Sequence, residues 1–262
     1  MITAGIDIGS STAKAVIFRE NRIIAHSILP TGADSAASAQ KALDGALGGA
    51  AGVSQADIQY IVGTGYGRLI IPFATETVTE ISCHARGAAW LFPTVRTVVD
   101  MGGQDCKAIR CDGNGKLINF AMNDKCAAGT GRFLELMAKV LDLPLEEFGR
   151  LSLQSKNAIR INSTCAVFGR SEVTALLRQG KDKTAVIAGL HAAVAGRVFT
   201  LLRRVGIQPD FAITGGIAKN AGVVRRLEEM AGVKALLPEE PQIVGALGAA
   251  LFAQDRIRNK IA

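Results

Sequence analysis

The feature that most limits what this chain can become is a repeat of itself. Residues 7–14 read Asp-Ile-Gly-Ser-Ser-Thr-Ala-Lys and residues 100–107 read Asp-Met-Gly-Gly-Gln-Asp-Cys-Lys, so Asp, Gly and Lys recur at the same offsets. The flanks repeat as well. Apolar runs over 2–6 and 95–99 predict a strand ahead of each copy, and runs over 15–18 and 108–111 predict one behind it. Polar turns at 19–22 and 112–116 then lead to third strands over 23–29 and 117–122. Three sequential strands, twice over, predict a duplicated α/β domain.

The correspondence continues downstream. A strand over 58–62 leads to Gly63-Thr64-Gly65-Tyr66-Gly67, and one over 211–214 leads to Gly215-Gly216. Ala-rich helices over 80–92 and 244–257 close the two halves. A chain of 262 residues is long for one core, so two domains are expected. The first covers 1–92, with the C-terminal helix 244–262 packing back on it; the second covers 93–243. What is not duplicated is an insertion in the second half, 123–208, which holds Cys126 and Cys165.

A hairpin tip of Gly, Ser and Thr behind a strand-terminal Asp offers backbone N–H groups and hydroxyls to phosphate oxygens, while the carboxylate can hold hydrated magnesium. Two such tips would grip one polyphosphate from both sides. No Gly-x-x-x-x-Gly-Lys-Ser/Thr occurs, which excludes a P-loop, and no Gly-x-Gly-x-x-Gly follows the first strand. Phosphoryl transfer asks mainly for positioning and charge neutralisation. On that basis Gly9, Ser10, Ser11, Thr12, Gly102 and Gly103 are expected at the phosphates, and Asp7 and Asp100 at magnesium through water. Gln104 or Asp105 is expected to orient the attacking water. Lys14 fits either a phosphate or a surface carboxylate. Gly215, Gly216 and Asn220 are expected near the adenosine, with Gln242 available before the last helix.

Composition narrows the partners. Hydrophobic residues make up 48% and charged residues 20%, a globular balance. No eighteen-residue apolar run occurs, and the first residues run straight into a strand without a leader, so a cytoplasmic protein with no membrane partner is expected. The net charge of +7 sits on separate helices (Arg203-Arg204, Arg225-Arg226) without interleaved aromatics. That argues against nucleic acid and for solvated helix faces, nucleotide phosphates or an acidic protein.

Five cysteines without a CxxC pair suit reduced thiols or ligands. Cys126 precedes a predicted helix over 132–141 and Cys165 one over 168–177, where the helix dipole favours thiolate. Cys83 in an apolar helix, and Cys106 and Cys111 on opposite faces of one strand, read as packing residues. Taken alone, all five also fit as small core residues. A 4Fe-4S cluster needs four thiolates, and a two-fold dimer would supply two pairs.

Asp-Ile-Gly-Ser at 7–10, Gly-Thr-Gly-Tyr-Gly-Arg at 63–68, Asp-Met-Gly-Gly-Gln-Asp at 100–105, Asn-Asp-Lys-Cys-Ala-Ala-Gly-Thr-Gly at 123–131, Ser-Thr-Cys at 163–165 and Thr-Gly-Gly at 214–216 together resemble the activator component of 2-hydroxyacyl-CoA dehydratases. The wider family includes the ATPase subunits of benzoyl-CoA reductases. The resemblance covers nearly the whole chain. It implies duplicated ribonuclease H-like domains of the actin, sugar-kinase and heat-shock-70 type, with the nucleotide in the cleft between them. It also implies an oxygen-sensitive homodimer of anaerobic metabolism that binds ATP or ADP with Mg2+ and holds one 4Fe-4S cluster on Cys126 and Cys165 of both chains. The implied activity is ATP-driven transfer of an electron from ferredoxin or flavodoxin to an iron-sulfur dehydratase or reductase. Rival readings on the same fold are a reductase of another iron-sulfur protein of the benzoyl-CoA type, a small-metabolite kinase, and a nucleotide-gated, chaperone-like assembly protein.

Overall fold

The computed structural model describes residues 1–123, 129–161 and 165–261. It contains two five-stranded sheets built on one plan. The first runs β3 (Arg22–Pro30), β2 (Thr12–Arg19), β1 (Ile2–Ile8), β4 (Tyr60–Thr64), β5 (Glu76–Thr77). The second, in the same sense, runs β8 (Leu117–Asn123), β7 (Cys106–Cys111), β6 (Thr97–Met101), β9 (Phe211–Thr214), β10 (Ala235–Leu236). Strand for strand, the duplication predicted from Asp7 and Asp100 is present.

By contacts the chain divides into two units. One comprises Met1–Val98, Cys111–Ile118 and Pro238–Ala262; the other comprises Val99–Arg110 and Asn119–Leu237. In the first, the central strands β1 and β2 are buried on both faces, hence their near-continuous apolar sequences. Ala4, Ile6, Ile8, Ala13, Ala15 and Ile17 pack with Ala39, Ala42 and Leu43 of α1 (Ser35–Gly49), a helix capped by Asp34 accepting from Ala37 N. On the other face Val16 and Phe18 pack with Ala246, Leu247 and Ala250 of α8 (Val244–Ile261), which also contacts α2 (Glu80–Leu91).

The second unit is built around the 23-residue α6 (Lys183–Val205), capped by Asp182 accepting from Thr184 N and Ala185 N. An 18-residue window of α6 is apolar enough to cross a membrane, and most of it is buried here. Val194 and Val198 join Phe133 and Met137 of α3 (Gly131–Leu141), Phe148 of α4 (Glu147–Gln154), Val173 of α5 (Ala166–Arg178), Leu227 of α7 (Ala221–Ala231) and the strand residues Met101 and Phe211 in one core.

Several strand ends differ from expectation, among them β4, expected over 58–62 and found at Tyr60–Thr64, and the two strands that carry the acids. β1 runs through Ile8 and β6 from Thr97 through Met101, so Asp7 and Asp100 lie inside strands. For β1 the cause is the ladder with β2, which continues past Asp7↔Lys14 to Ile8↔Ala13. The helix expected to begin at Phe168 begins two residues earlier, making Cys165 its N-cap residue.

Candidate functional site

The two repeats fold into the same turn. Gly9 N donates to Thr12 O at 3.0 Å, and Gly102 N donates to Asp105 O at 3.0 Å. Each turn presents an acid from one strand to a lysine on the next. Asp7 and Lys14 are register partners, and Lys14 Nζ donates to Asp7 Oδ2 at 3.0 Å with both side chains nearly sealed from solvent. In the second copy Lys107 Nζ lies 3.5 Å from Asp100 Oδ2 and 2.7 Å from Asp105 Oδ1. Lys14 therefore answers a buried carboxylate, where sequence alone offered a phosphate or a surface one.

Each acid is also backed by a glycine from the neighbouring strand's end. Gly65 has φ 87°, and a Cβ there would fall 2.4 Å from Asp7 Oδ1 and 2.5 Å from Ile8 O. Gly215 has φ 83°, and its Cβ would fall 2.6 Å from Asp100 Oδ1 and 2.5 Å from Met101 O. Only glycine combines that dihedral with that approach. In the first unit a third glycine hems in the carboxylate: a Cβ on Gly245 of α8 would lie 3.0 Å from Asp7 Oδ2 and 2.9 Å from His84 Nε2 on α2.

The tips remain open to a ligand. Ser10, Ser11 and Thr12 are half-buried, and their loop is braced by Thr31, whose N donates to Ser11 O and whose Oγ1 donates to Gly9 O. Ser11 Oγ is buried and makes no hydrogen bond among the described residues, an acceptor and donor waiting for a partner. On the second turn Gln104 is exposed, while Asp105 is tied back to Lys107. Of the two residues expected to orient water, Gln104 has the free side chain.

The second turn is joined to the start of α3 by its own backbone. Gly131 N donates to Gly102 O at 3.0 Å and Arg132 N to Gly103 O at 2.8 Å, so the first amides of α3 are anchored on the turn. The residues just ahead of that helix, 124–128, include Cys126, which lies outside the described residues. Cys165 is described: it is half-buried and its backbone caps α5, with Gly169 N donating to Cys165 O at 2.8 Å. The other described cysteines are sealed. Burial pushes the Cys83 thiol up to about 12 and raises that of Cys106 too, and the Cys106 thiol donates to Gly129 O. Such thiols are poor ligands. Cys165 alone among the described four combines access to solvent with a helix-end position.

Gly215 and Gly216 lead through a single 3-10 turn to Asn220 at the α7 N-terminus. Asn220 Oδ1 accepts from Gly222 N and Val223 N, and its Nδ2 meets His191 Nε2 at 3.2 Å. Its amide thus fixes the loop. Gln242 is half-buried, in the turn before α8, with its N–H donating to Glu240. Sequence reasoning quoted Gly65 and Lys107 within its motifs without giving them a role, and passed over His84 and Gly245. For Lys107 the signal was present, since it stands at the offset of Lys14.

Residues 4–253 match the BadF/BadG/BcrA/BcrD ATPase family. The chain is 46% identical to the activator of lactoyl-CoA dehydratase from Anaerotignum propionicum, over 99% of this chain and 100% of that one. The solved activator of the 2-hydroxyisocaproyl-CoA dehydratase from Clostridium difficile with bound ADPNP is 41% identical, superposes with TM-score 0.93, and is matched over 100% of this chain and 97% of its own. A ROK family glucokinase from Streptomyces griseus, 17% identical, superposes at 0.59 over 97% of this chain and all of its own. That likeness shows the shared ribonuclease H-like fold of the actin and sugar-kinase type.

Proposed function

The chain belongs to the BadF/BadG/BcrA/BcrD ATPase family, and from that premise we propose that it hydrolyses ATP to drive low-potential electrons into an iron-sulfur enzyme of the 2-hydroxyacyl-CoA dehydratase kind. The observation that carries the proposal is the twice-built turn, an acid held by a lysine and backed by a glycine, in a chain matched end to end by a dehydratase activator.

Gly9, Ser10, Ser11, Thr12, Gly102 and Gly103 bind phosphate oxygens through N–H and hydroxyl groups. Asp7 and Asp100 take hydrated Mg2+, and their lysines hold the carboxylates ready while the metal is away. Gln104 orients the attacking water. The loop from Gly215 to Asn220 approaches the adenosine.

The residues present fit an iron-sulfur cluster. Cys165 is a half-buried residue at a helix N-terminus, where N–H groups favour an anion. Two ligand cysteines per chain are half of what a 4Fe-4S cluster needs, and a second copy supplies the rest. Val167 and Phe168, each 68% exposed on the first turn of α5, give that second copy an apolar contact beside Cys165. When bound, the cluster supplies a one-electron carrier. The amides of Gly131 and Arg132 on the carbonyls of Gly102 and Gly103 let a change of the phosphate turn pull on α3, and so on the segment holding Cys126.

The test is reconstitution without oxygen with a 2-hydroxyacyl-CoA dehydratase, dithionite and Mg-ATP. Dehydratase turnover is expected only with ATP. Cys165→Ser should keep nucleotide binding and lose activation. Activation without ATP, or by Cys165→Ser at the wild-type rate, contradicts the proposal.

A further inference from the structure

The charge of this protein belongs to one unit. The first unit holds eleven Lys and Arg against eleven Asp and Glu; the second holds nineteen against twelve. Within the second the excess is local. Residues 150–204 carry ten basic residues and only Glu172 and Asp182 as acids, and this is the stretch that contains Cys165.

Four basic side chains of this stretch differ from the paired ones of the same unit. Arg132 is paired with Glu135, Arg225 and Arg226 with Glu229, and Lys234 with Glu228. Lys156, Arg160, Arg170 and Arg178 are exposed and have no acidic partner among the described residues. Two of them precede Cys165 and two follow it on α5. Unpaired like charges raise a positive potential that steers and holds an acidic surface, and a partner's carboxylates would find side chains with no competing bond.

We propose that Lys156, Arg160, Arg170 and Arg178 form the docking surface for an acidic redox protein that brings the electron to the Cys165 end of the second unit. The proposal rests on the reading of Cys165 as a cluster ligand. An acidic protein fits better than nucleic acid, because single strands bind on successive aromatic platforms. Phe168 is the one exposed aromatic among the described residues of this stretch.

The test compares three full-length proteins purified without oxygen: wild type, Arg160→Glu with Arg170→Glu, and Arg19→Glu with Arg22→Glu. The last makes the same charge change in the neutral first unit. The probe is an acidic two-cluster ferredoxin, titrated calorimetrically at low and moderate salt. Wild type and the Arg19/Arg22 variant should bind alike, weakening roughly tenfold as salt rises. The Arg160/Arg170 variant should bind at least about tenfold more weakly, with iron content and nucleotide affinity unchanged. Equal binding by the Arg160/Arg170 variant, equal loss in the Arg19/Arg22 variant, or stronger binding of a single-stranded oligonucleotide than of ferredoxin overturns the proposal. A wild type that binds ferredoxin as described yet holds no iron contradicts the cluster reading and leaves the docking surface standing.

Discussion

Lys14 donates to Asp7 across 3.0 Å from a side chain 11% exposed to one 6% exposed. Losing one partner of such a pair strands the other charge away from water, at a cost of about 3–5 kcal/mol. Lys14→Met should therefore lower the urea unfolding free energy by about that amount, and Mg2+ with nucleotide should restore part of it. An unchanged midpoint would mean the pair is not what holds the turn.

Asp100 stands on β6 beside Lys107 of β7, and under the proposed function a neutral amide there would deprive Mg2+ of a carboxylate. Asp100→Asn should slow steady-state ATP hydrolysis by roughly a hundredfold or more while nucleotide affinity changes only a few-fold. A wild-type rate in a phosphate-release assay would remove Asp100 from the metal site.

The duplication was legible because it is written in short, regular spacing: Asp, Gly and Lys at fixed offsets between apolar runs. The two-residue strands β5 and β10 carry no such period and escaped notice. The glycines behind the acids were visible as glycines, but their work was not. That Gly65 lies against Asp7 and Gly215 against Asp100 depends on strand neighbours distant in sequence. His84 reaches the same region through α2 packing, which no local pattern announces. The position of Cys165 at a helix end was readable, because a polar Asn-Ser-Thr precedes an apolar helical run.

Gly215 and Gly232 both have positive φ, 83° and 70°, but only Gly215 is crowded, since nothing lies within 4 Å of a Cβ on Gly232. Gly232→Ala should cost about 1 kcal/mol in thermal or urea unfolding and leave nucleotide binding intact. Gly215→Ala should displace Asp100 and weaken nucleotide binding at least tenfold in a fluorescent-analogue titration. Equal nucleotide affinity in the two variants would show that the contact with Asp100 does not matter.

His191 is fully buried, and burial, helped by the positive Arg226, pushes its pKa from 6.5 down to about 4. The folded value lies below the unfolded one, so the fold favours the neutral ring. That stabilisation is complete above about pH 6.5 and is lost as pH falls toward 4. Unfolding free energy should be roughly 2 kcal/mol lower at pH 5 than at pH 8 from this group, a difference that shrinks in His191→Gln. A pH dependence identical in the variant would assign the effect elsewhere.

The central claim is that the duplicated ATPase turns serve a metal cluster held at the cysteine-bearing end of the second unit. The most direct measurement is the iron content and visible spectrum of the protein purified without oxygen. The account predicts a brown dimer with about four irons per two chains, bleached by dithionite, and a colourless but nucleotide-binding Cys126→Ser variant. A colourless, iron-free wild type, or a Cys126→Ser variant with its full iron, would contradict it.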